Sequence, residues 1–244
     1  MNRENIEKLK KEFLGMLVKK GALRIAVSIN NLIVLKSGRK TTYFANFGEL
    51  NDGESASGLK KAYATFIHSL LQEKKIEDFD FIFGPAYKGI NLACLACEGL
   101  HELFGINKKY MYDRKEEKGH GDMSAENVIV GAGSFRKGQK ILMIDDVITT
   151  GKAKLDALEK IRLLGEHKIV GIVIAIDRQD KTGDAENVGM YSAVEEMEKT
   201  YGIKVHSFLK MQDIFDIVKK GLSPDIKQAW IDYYDKYGVV KLRD

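Results

Sequence analysis

Cysteine is scarce in this chain, with two residues among 244. Two thiols cannot build a disulfide framework, so the sequence reads as that of a protein from a reducing, cytoplasmic setting. Proline is equally rare, again with two residues, and that scarcity excludes nothing. No apolar run is long enough for a membrane span. The longest nearly uninterrupted one, Ile169 to Ile176, has eight residues, against the about 20 that a bilayer requires. The opening MNRENIEKLKKEF carries charge throughout and has no apolar stretch like a signal peptide's. Neither sign of charge is in large excess: 39 Lys and Arg against 35 Asp and Glu leave +4. Such mild basicity suits anionic small molecules as well as RNA. With 44% hydrophobic and 30% charged residues, the composition is that of an ordinary globular chain and excludes disordered, collagen-like and coiled-coil classes. No repeat period, low-complexity tract or Gly/Ser-rich linker marks a boundary, so residues 1–244 read as a single domain.

Ile6, Leu9, Phe13, Met16 and Leu17 recur at spacings of three and four, which predicts an N-terminal helix. Its other face is lysine-rich, and the helix is expected across the core or at a subunit contact rather than on a membrane surface. Residues 23–35 (LRIAVSINNLIVL) predict a hairpin of two strands around Asn30-Asn31. Three strand–loop–helix units then follow. FDFIF (79–83) leads into GPAYKG and a helical INLACLACEGL. ILMI (141–144) leads into DDVITTGKA and KLDALEKIRLLG. IVGIVIAI (169–176) leads into DRQDKTG and then SAVEEMEKTYG. Near-continuous apolar strands alternating with helices predict a central parallel sheet covered on both faces. Ligands of such sheets bind beyond the carboxyl ends of the strands, so the three loops should converge on one site.

Asp145 and Asp146 end the second strand. Neighbouring strand residues point to opposite faces, so these carboxylates cannot form a close acid pair. They can accept hydrogen bonds from hydroxyls or organise a hydrated Mg²⁺. The following VITTGKA offers backbone N–H groups and Thr hydroxyls to an anion at a helix start; alternatively it simply caps that helix. A Walker loop is excluded, because Asp146 stands where its first glycine belongs and Ala153 where Ser or Thr belongs. Gly131-Ala132-Gly133 is no dinucleotide fingerprint either, since Arg136 takes the third glycine position. Cys94 and Cys97 lack further metal ligands and are expected as two small buried residues on one helix face. The segment from Asp113 to Ser124, DRKEEKGHGDMS, has little to bury, and its plain reading is a solvated, mobile loop.

ILMIDDVITTGKA closely resembles the phosphoribosyl diphosphate (PRPP) signature of type I phosphoribosyltransferases. LKSGRKTTYF (35–44), FGPAYKGI (83–90), DRKEEKGHGD (113–122) and IDRQ (176–179) extend the resemblance to the orotate phosphoribosyltransferase family, in the family's order over about 145 residues. The resemblance implies a type I phosphoribosyltransferase-like α/β fold. Residues 1–60 would form a small N-terminal hood with the first helix, 61–210 the core with the PRPP loop, and 211–244 a helical tail.

It also implies roles for individual residues. Asp145 and Asp146 would hold the ribose hydroxyls, and Val147, Ile148, Thr149, Thr150, Gly151, Lys152 and Ala153 would cradle the 5′-phosphate. Tyr87 and Lys88 match the pyrophosphate loop, where Gly84, Pro85 and Gly89 lead us to expect a strained or cis peptide. Lys36, Arg114, Lys115, Lys118 and His120 match PRPP and pyrophosphate contacts, the last four on a lid that excludes water. Lys118 is assigned to the leaving group, and His120, with no second ligand at metal spacing, is not read as a metal site. Phe44, Ala45, Thr149 and Arg178 match the orotate site. Arg178 suits the carboxylate that distinguishes orotate from uracil, and Ala45 replaces a usual second aromatic. The expected cofactor is Mg²⁺ carried by PRPP rather than held directly by the chain. The expected partners are orotate, PRPP, orotidine 5′-monophosphate, pyrophosphate and a second subunit sharing the lid, with neither nucleic acid nor membrane. A transferase for another base and a PRPP-sensing regulator are the rival readings. Trp230 and the Tyr-rich C-terminal tail match the family pattern poorly.

Overall fold

The computed structural model describes residues 3–115, 124–148 and 152–244. Helix α1 (Arg3–Lys19) is followed by short strands β1 (Leu23–Ile25), β2 (Ile33–Val34), β3 (Lys40–Thr41) and β4 (Tyr43–Ala45), then helix α2 (Gly53–Gln72). The core continues as β5 (Phe81–Phe83), α3 (Lys88–Phe104), β6 (Lys109–Asp113), α4 (Ala125–Val128), β7 (Ile129–Val130), β8 (Lys140–Val147), α5 (Lys152–Arg162) and β9 (Lys168–Asp177). It closes with a hairpin of β10 (Lys181–Gly183) and β11 (Val188–Ser192), then α6 (Ala193–Tyr201), β12 (Val205–Lys210), α7 (Met211–Val218) and α8 (Pro224–Tyr237).

The main sheet has the order β12-β9-β8-β5-β6-β7. All neighbours are parallel except β7, which runs antiparallel to β6. Side-chain alternation divides the core in two. Ile82, Leu142, Ile144, Val173 and Ala175 face one layer, built with α1, α2, α3, α7 and α8. Phe81, Phe83, Ile141, Met143, Ile172 and Ile174 face the other, built with α5 and α6. This is why the central strands read as unbroken apolar runs: both of their faces are covered. Burying each of the larger of these side chains contributes roughly 1.5–3 kcal/mol.

Helix ends are set by local chemistry. The Asp52 carboxylate accepts from Ser55 N at 2.8 Å to start α2. Ser192 and Glu195 form a capping box at α6, and Ser223 with Pro224 opens α8. The apolar face of α1 lies on the core as expected, with Leu9, Phe13 and Leu17 buried and the Phe13 ring 5.3 Å from that of Phe208.

Two expectations are corrected. Residues 23–35 do not form a hairpin: β1 pairs with β4 and β2 with β3. Asn30 and Asn31 lie in a short 3-10 turn, Ile29–Asn31, instead of a two-residue reversal. The segment KTTYFA supplies both partner strands and buries Thr41 and Tyr43, which outweighs a local pairing of 23–25 with 33–34. The cysteines are not both buried: Cys94 is exposed and Cys97 half-buried. The inward face of α3 is taken by Leu92, Ala93, Ala96 and Leu100, and the Cys97 thiol turns to the Lys108 carbonyl at 2.7 Å.

Candidate active site

The carboxyl ends of β5, β8 and β9 bring the three loops together. Asp146 shares the parity of Leu142 and Ile144, the face covered by α2 and α3. Its buried carboxylate accordingly meets Lys88 at the start of α3, with Nζ 3.0 Å from Oδ2. The other oxygen, Oδ1, accepts from Val147 N at 2.7 Å. Asp145, of opposite parity, is also buried; its Oδ1 accepts from Asp146 N at 2.9 Å. Its carbonyl accepts from the Tyr63 hydroxyl of α2 at 2.8 Å, which anchors the strand end.

The loop before α3 requires its glycines. A Cβ on Gly84 would stand 1.9 Å from the Gly89 carbonyl oxygen, so strand end and helix start touch backbone to backbone. The Ala86–Tyr87 peptide is cis, in keeping with the expectation for this loop. Ala86 N donates to Asp113 Oδ1 at 2.6 Å, and Lys160 of α5 donates to Asp113 Oδ2 at 2.7 Å and to the Arg114 carbonyl at 2.6 Å. One fully buried carboxylate thus joins the loop after β5, the end of β6 and the helix after β8.

A cavity of about 410 Å³ opens beside this edge. It brings together Lys36, Phe44, Ala45, Lys88, Val147, Ile148 and Arg178. Its walls are held by Arg39, a buried guanidinium that no sequence pattern singled out. Arg39 donates to the carbonyls of Lys181, Thr182 and Asp184 at 2.7, 2.9 and 3.0 Å. It thereby binds the β2–β3 turn to the β10–β11 hairpin. Arg178 donates through Nη2 to Asp180 Oδ2 at 2.6 Å and through Nε to the Tyr43 hydroxyl at 3.3 Å.

Tyr87, Arg114 and Lys115 do not line that cavity. Tyr87 and Lys115 are exposed, and Arg114 is half-buried with Nε lacking an acceptor among the described residues. Lys152 and Ala153 open α5. Lys118, His120, Thr149, Thr150 and Gly151 lie outside the described residues. Among the described residues no group of three or more His, Cys, Asp or Glu side chains forms a metal cage, and no helix is long and apolar enough to cross a membrane.

An acidic strand edge with a lysine facing it, and beside it a pocket ending in an arginine, thus gather at the carboxyl end of the parallel sheet, where ligands of such sheets bind. Residues 54–199 match the phosphoribosyl transferase domain family. More narrowly, the chain belongs to the orotate phosphoribosyltransferase family. It is 38% identical over 236 residues to the orotate phosphoribosyltransferase of Kluyveromyces lactis, covering 96% of this chain and 97% of that one. It is 34% identical over 213 residues to that of Bifidobacterium adolescentis, covering 84% and 89%. The crystal structure of orotate phosphoribosyltransferase from Francisella tularensis superimposes with a TM-score of 0.76 at 31% identity, covering 93% of this chain and 99% of that one.

Proposed function

We propose that this chain transfers the 5-phosphoribosyl group of PRPP to orotate, releasing pyrophosphate and forming orotidine 5′-monophosphate for pyrimidine nucleotide synthesis. The observation that carries the reading is one cavity bounded by Lys88 on the acidic side and by Phe44 and Arg178 on the other. In the reaction the C1–O bond to pyrophosphate breaks, a bond from the base nitrogen to C1 forms, and positive charge builds on the sugar between the two events. Asp145 and Asp146 accept from the ribose hydroxyls, and the turn from Val147 to Ala153 donates to the 5′-phosphate. Lys36, Tyr87, Lys88, Arg114 and Lys115 contact PRPP or its pyrophosphate. The Nε of Arg114, without an acceptor among the described residues, supports an anion at that position. Phe44 lies against the pyrimidine, Ala45 leaves room beside it, and Arg178 takes the carboxylate.

The donor set fits Mg²⁺ brought in on PRPP: two buried carboxylates at the end of β8 could reach a hydrated ion through water, and a small ion that keeps its waters needs no protein cage. When bound it neutralises charge on the departing pyrophosphate. Lys118 and His120 complete that neutralisation from a lid shared with a second subunit of a cytoplasmic homodimer.

Orotate consumption followed by absorbance, with PRPP or Mg²⁺ omitted in turn, tests the reading; turnover of uracil at the same rate as orotate would refute it. Lys118→Ala should lower kcat by about 100-fold, the scale for one donor to developing charge. Its KM for PRPP should change little, because the contact strengthens in the transition state. An unchanged kcat removes Lys118 from the mechanism.

A further inference from the structure

The Tyr-rich tail has so far no part in the chemistry, yet α8 reaches the base end of the cavity. Trp230, Tyr233, Tyr234 and Tyr237 recur at spacings of three and four and form its buried face. The Tyr233 hydroxyl donates to Asp180 Oδ2 at 2.8 Å, the same oxygen that receives Arg178 Nη2. The Tyr234 hydroxyl donates to the carbonyl of Arg178 itself and stands 2.9 Å from the Tyr43 hydroxyl. Tyr43 in turn donates to Asp180 Oδ1 at 3.2 Å and accepts from Arg178 Nε at 3.3 Å. Arg178 and Asp180 side chains are 19% and 11% exposed. Burial pushes the phenols of Tyr43, Tyr233 and Tyr234 well up, so all three stay neutral donors.

This shell ties down Nε and Nη2 of the guanidinium, whereas Nη1 meets no acceptor among the described residues. The residue between the pair, Gln179, sits in the left-handed region at φ 53. Its carbonyl accepts from Val239 N at 2.9 Å, just beyond α8. An arginine held at two of its three nitrogens and at its own carbonyl loses little freedom when a carboxylate arrives, and a fixed fork selects by geometry as well as charge.

We propose that α8 is part of the base-recognition apparatus: Tyr233 and Tyr234, with Asp180 and Tyr43, are positioning residues that aim Arg178 at the carboxylate of the base. The inference rests on the reading of Arg178 as the carboxylate's partner and assigns the terminal helix a share in substrate selectivity.

Orotidine 5′-monophosphate and uridine 5′-monophosphate differ by that carboxylate alone, so their calorimetric affinities isolate it. In Tyr233→Phe and Asp180→Asn, each checked for folding by thermal melt, the Kd for orotidine 5′-monophosphate should rise about tenfold, the scale of one charge-assisted hydrogen bond. The Kd for uridine 5′-monophosphate and the KM for PRPP should stay within about twofold, and Asp180→Glu should recover part of the loss. Arg178→Ala is the control. If it abolishes discrimination while Tyr233→Phe and Asp180→Asn keep it, the positioning role is refuted and the assignment of Arg178 stands. A parallel weakening of both nucleotides in Tyr233→Phe also refutes the positioning role, since it would be merely structural. If Arg178→Ala keeps discrimination, the assignment of Arg178 falls and the role of α8 falls with it.

Discussion

Asp113 is the joint on which the loop after β5, the end of β6 and helix α5 meet, and its removal is the most quantitative stability test the fold offers. Its side chain is 2% exposed and holds Ala86 N at 2.6 Å and Lys160 Nζ at 2.7 Å. Breaking a buried ion pair by deleting one partner costs about 3–5 kcal/mol, because the other charge is left uncompensated. Lys160 is 25% exposed and keeps the Arg114 carbonyl, so it recovers some solvation, which favours the lower end of that range. The stranded Ala86 N–H adds about 1–3 kcal/mol. Asp113→Ala should therefore lose about 4 kcal/mol, a large part of the 5–15 kcal/mol typical of a domain. At this chain length that corresponds to roughly 8–16 °C in Tm. Asp113→Asn keeps an acceptor for Ala86 and should lose about half as much. The assay is urea unfolding followed by the fluorescence of Trp230, the single tryptophan of the chain, which is fully buried between Tyr43 and Phe215. A loss below about 1 kcal/mol for Asp113→Ala, or equal losses for Ala and Asn, would refute the claim that charge pairing at this carboxylate holds the loops.

Two further outcomes are expected. Gly84→Ala forces a methyl against the Gly89 carbonyl and the Ala93 side chain; soluble yield or Tm should fall sharply, while Gly15→Ala, with open space around it, should be near neutral or mildly stabilising. An unaltered melt for Gly84→Ala would show that strand end and helix can part. The pH dependence of stability should carry a histidine limb. Burial lowers the pKa of His206 from its ordinary 6.5, so the unfolded chain takes up a proton first as the medium is acidified. Its contribution is complete above pH 6.5 and declines as pH drops below that value toward the folded pKa. Thermal melts of His206→Gln from pH 7.5 to 5.5 should show a shallower loss than the parent, and identical slopes would assign the limb elsewhere.

What the sequence made legible follows from locality. β5, β8 and β9 are continuous apolar runs because both sheet faces are covered, and the loops after them could be placed by topology alone. β6, KYMYD, was missed because charge and aromatic residues interrupt it, although Met111 is fully buried. β12 starts with half-buried Val, His and Ser, so it too lacks a run. The hairpin of β10 and β11, inserted between the third strand and its helix, has weak local signals: Met190 and Val188 are exposed. At the site, Asp145, Asp146 and Lys88 were readable because each stands at a strand end or helix start. Arg39, Tyr43 and Asp180 were not, because their roles depend on partners far along the chain. Tyr43 lies 137 residues from Asp180 and 191 from Tyr234. Only the 3–4 periodicity of the tail tyrosines hinted that this face was buried, and nothing local told what it was buried against.

The contact between Lys88 and Asp146 has a consequence for how the proposed sugar phosphate would enter. Lys88 is 53% exposed while Asp146 is 8% exposed, and an ion pair open to water on one side contributes about 0–1 kcal/mol. Asp146 is therefore engaged by a tether that water and salt can loosen. On the proposed reading, an incoming diol would exchange one weak partner for another, and the freed ammonium would remain beside the diphosphate without any rearrangement of the sheet beneath it.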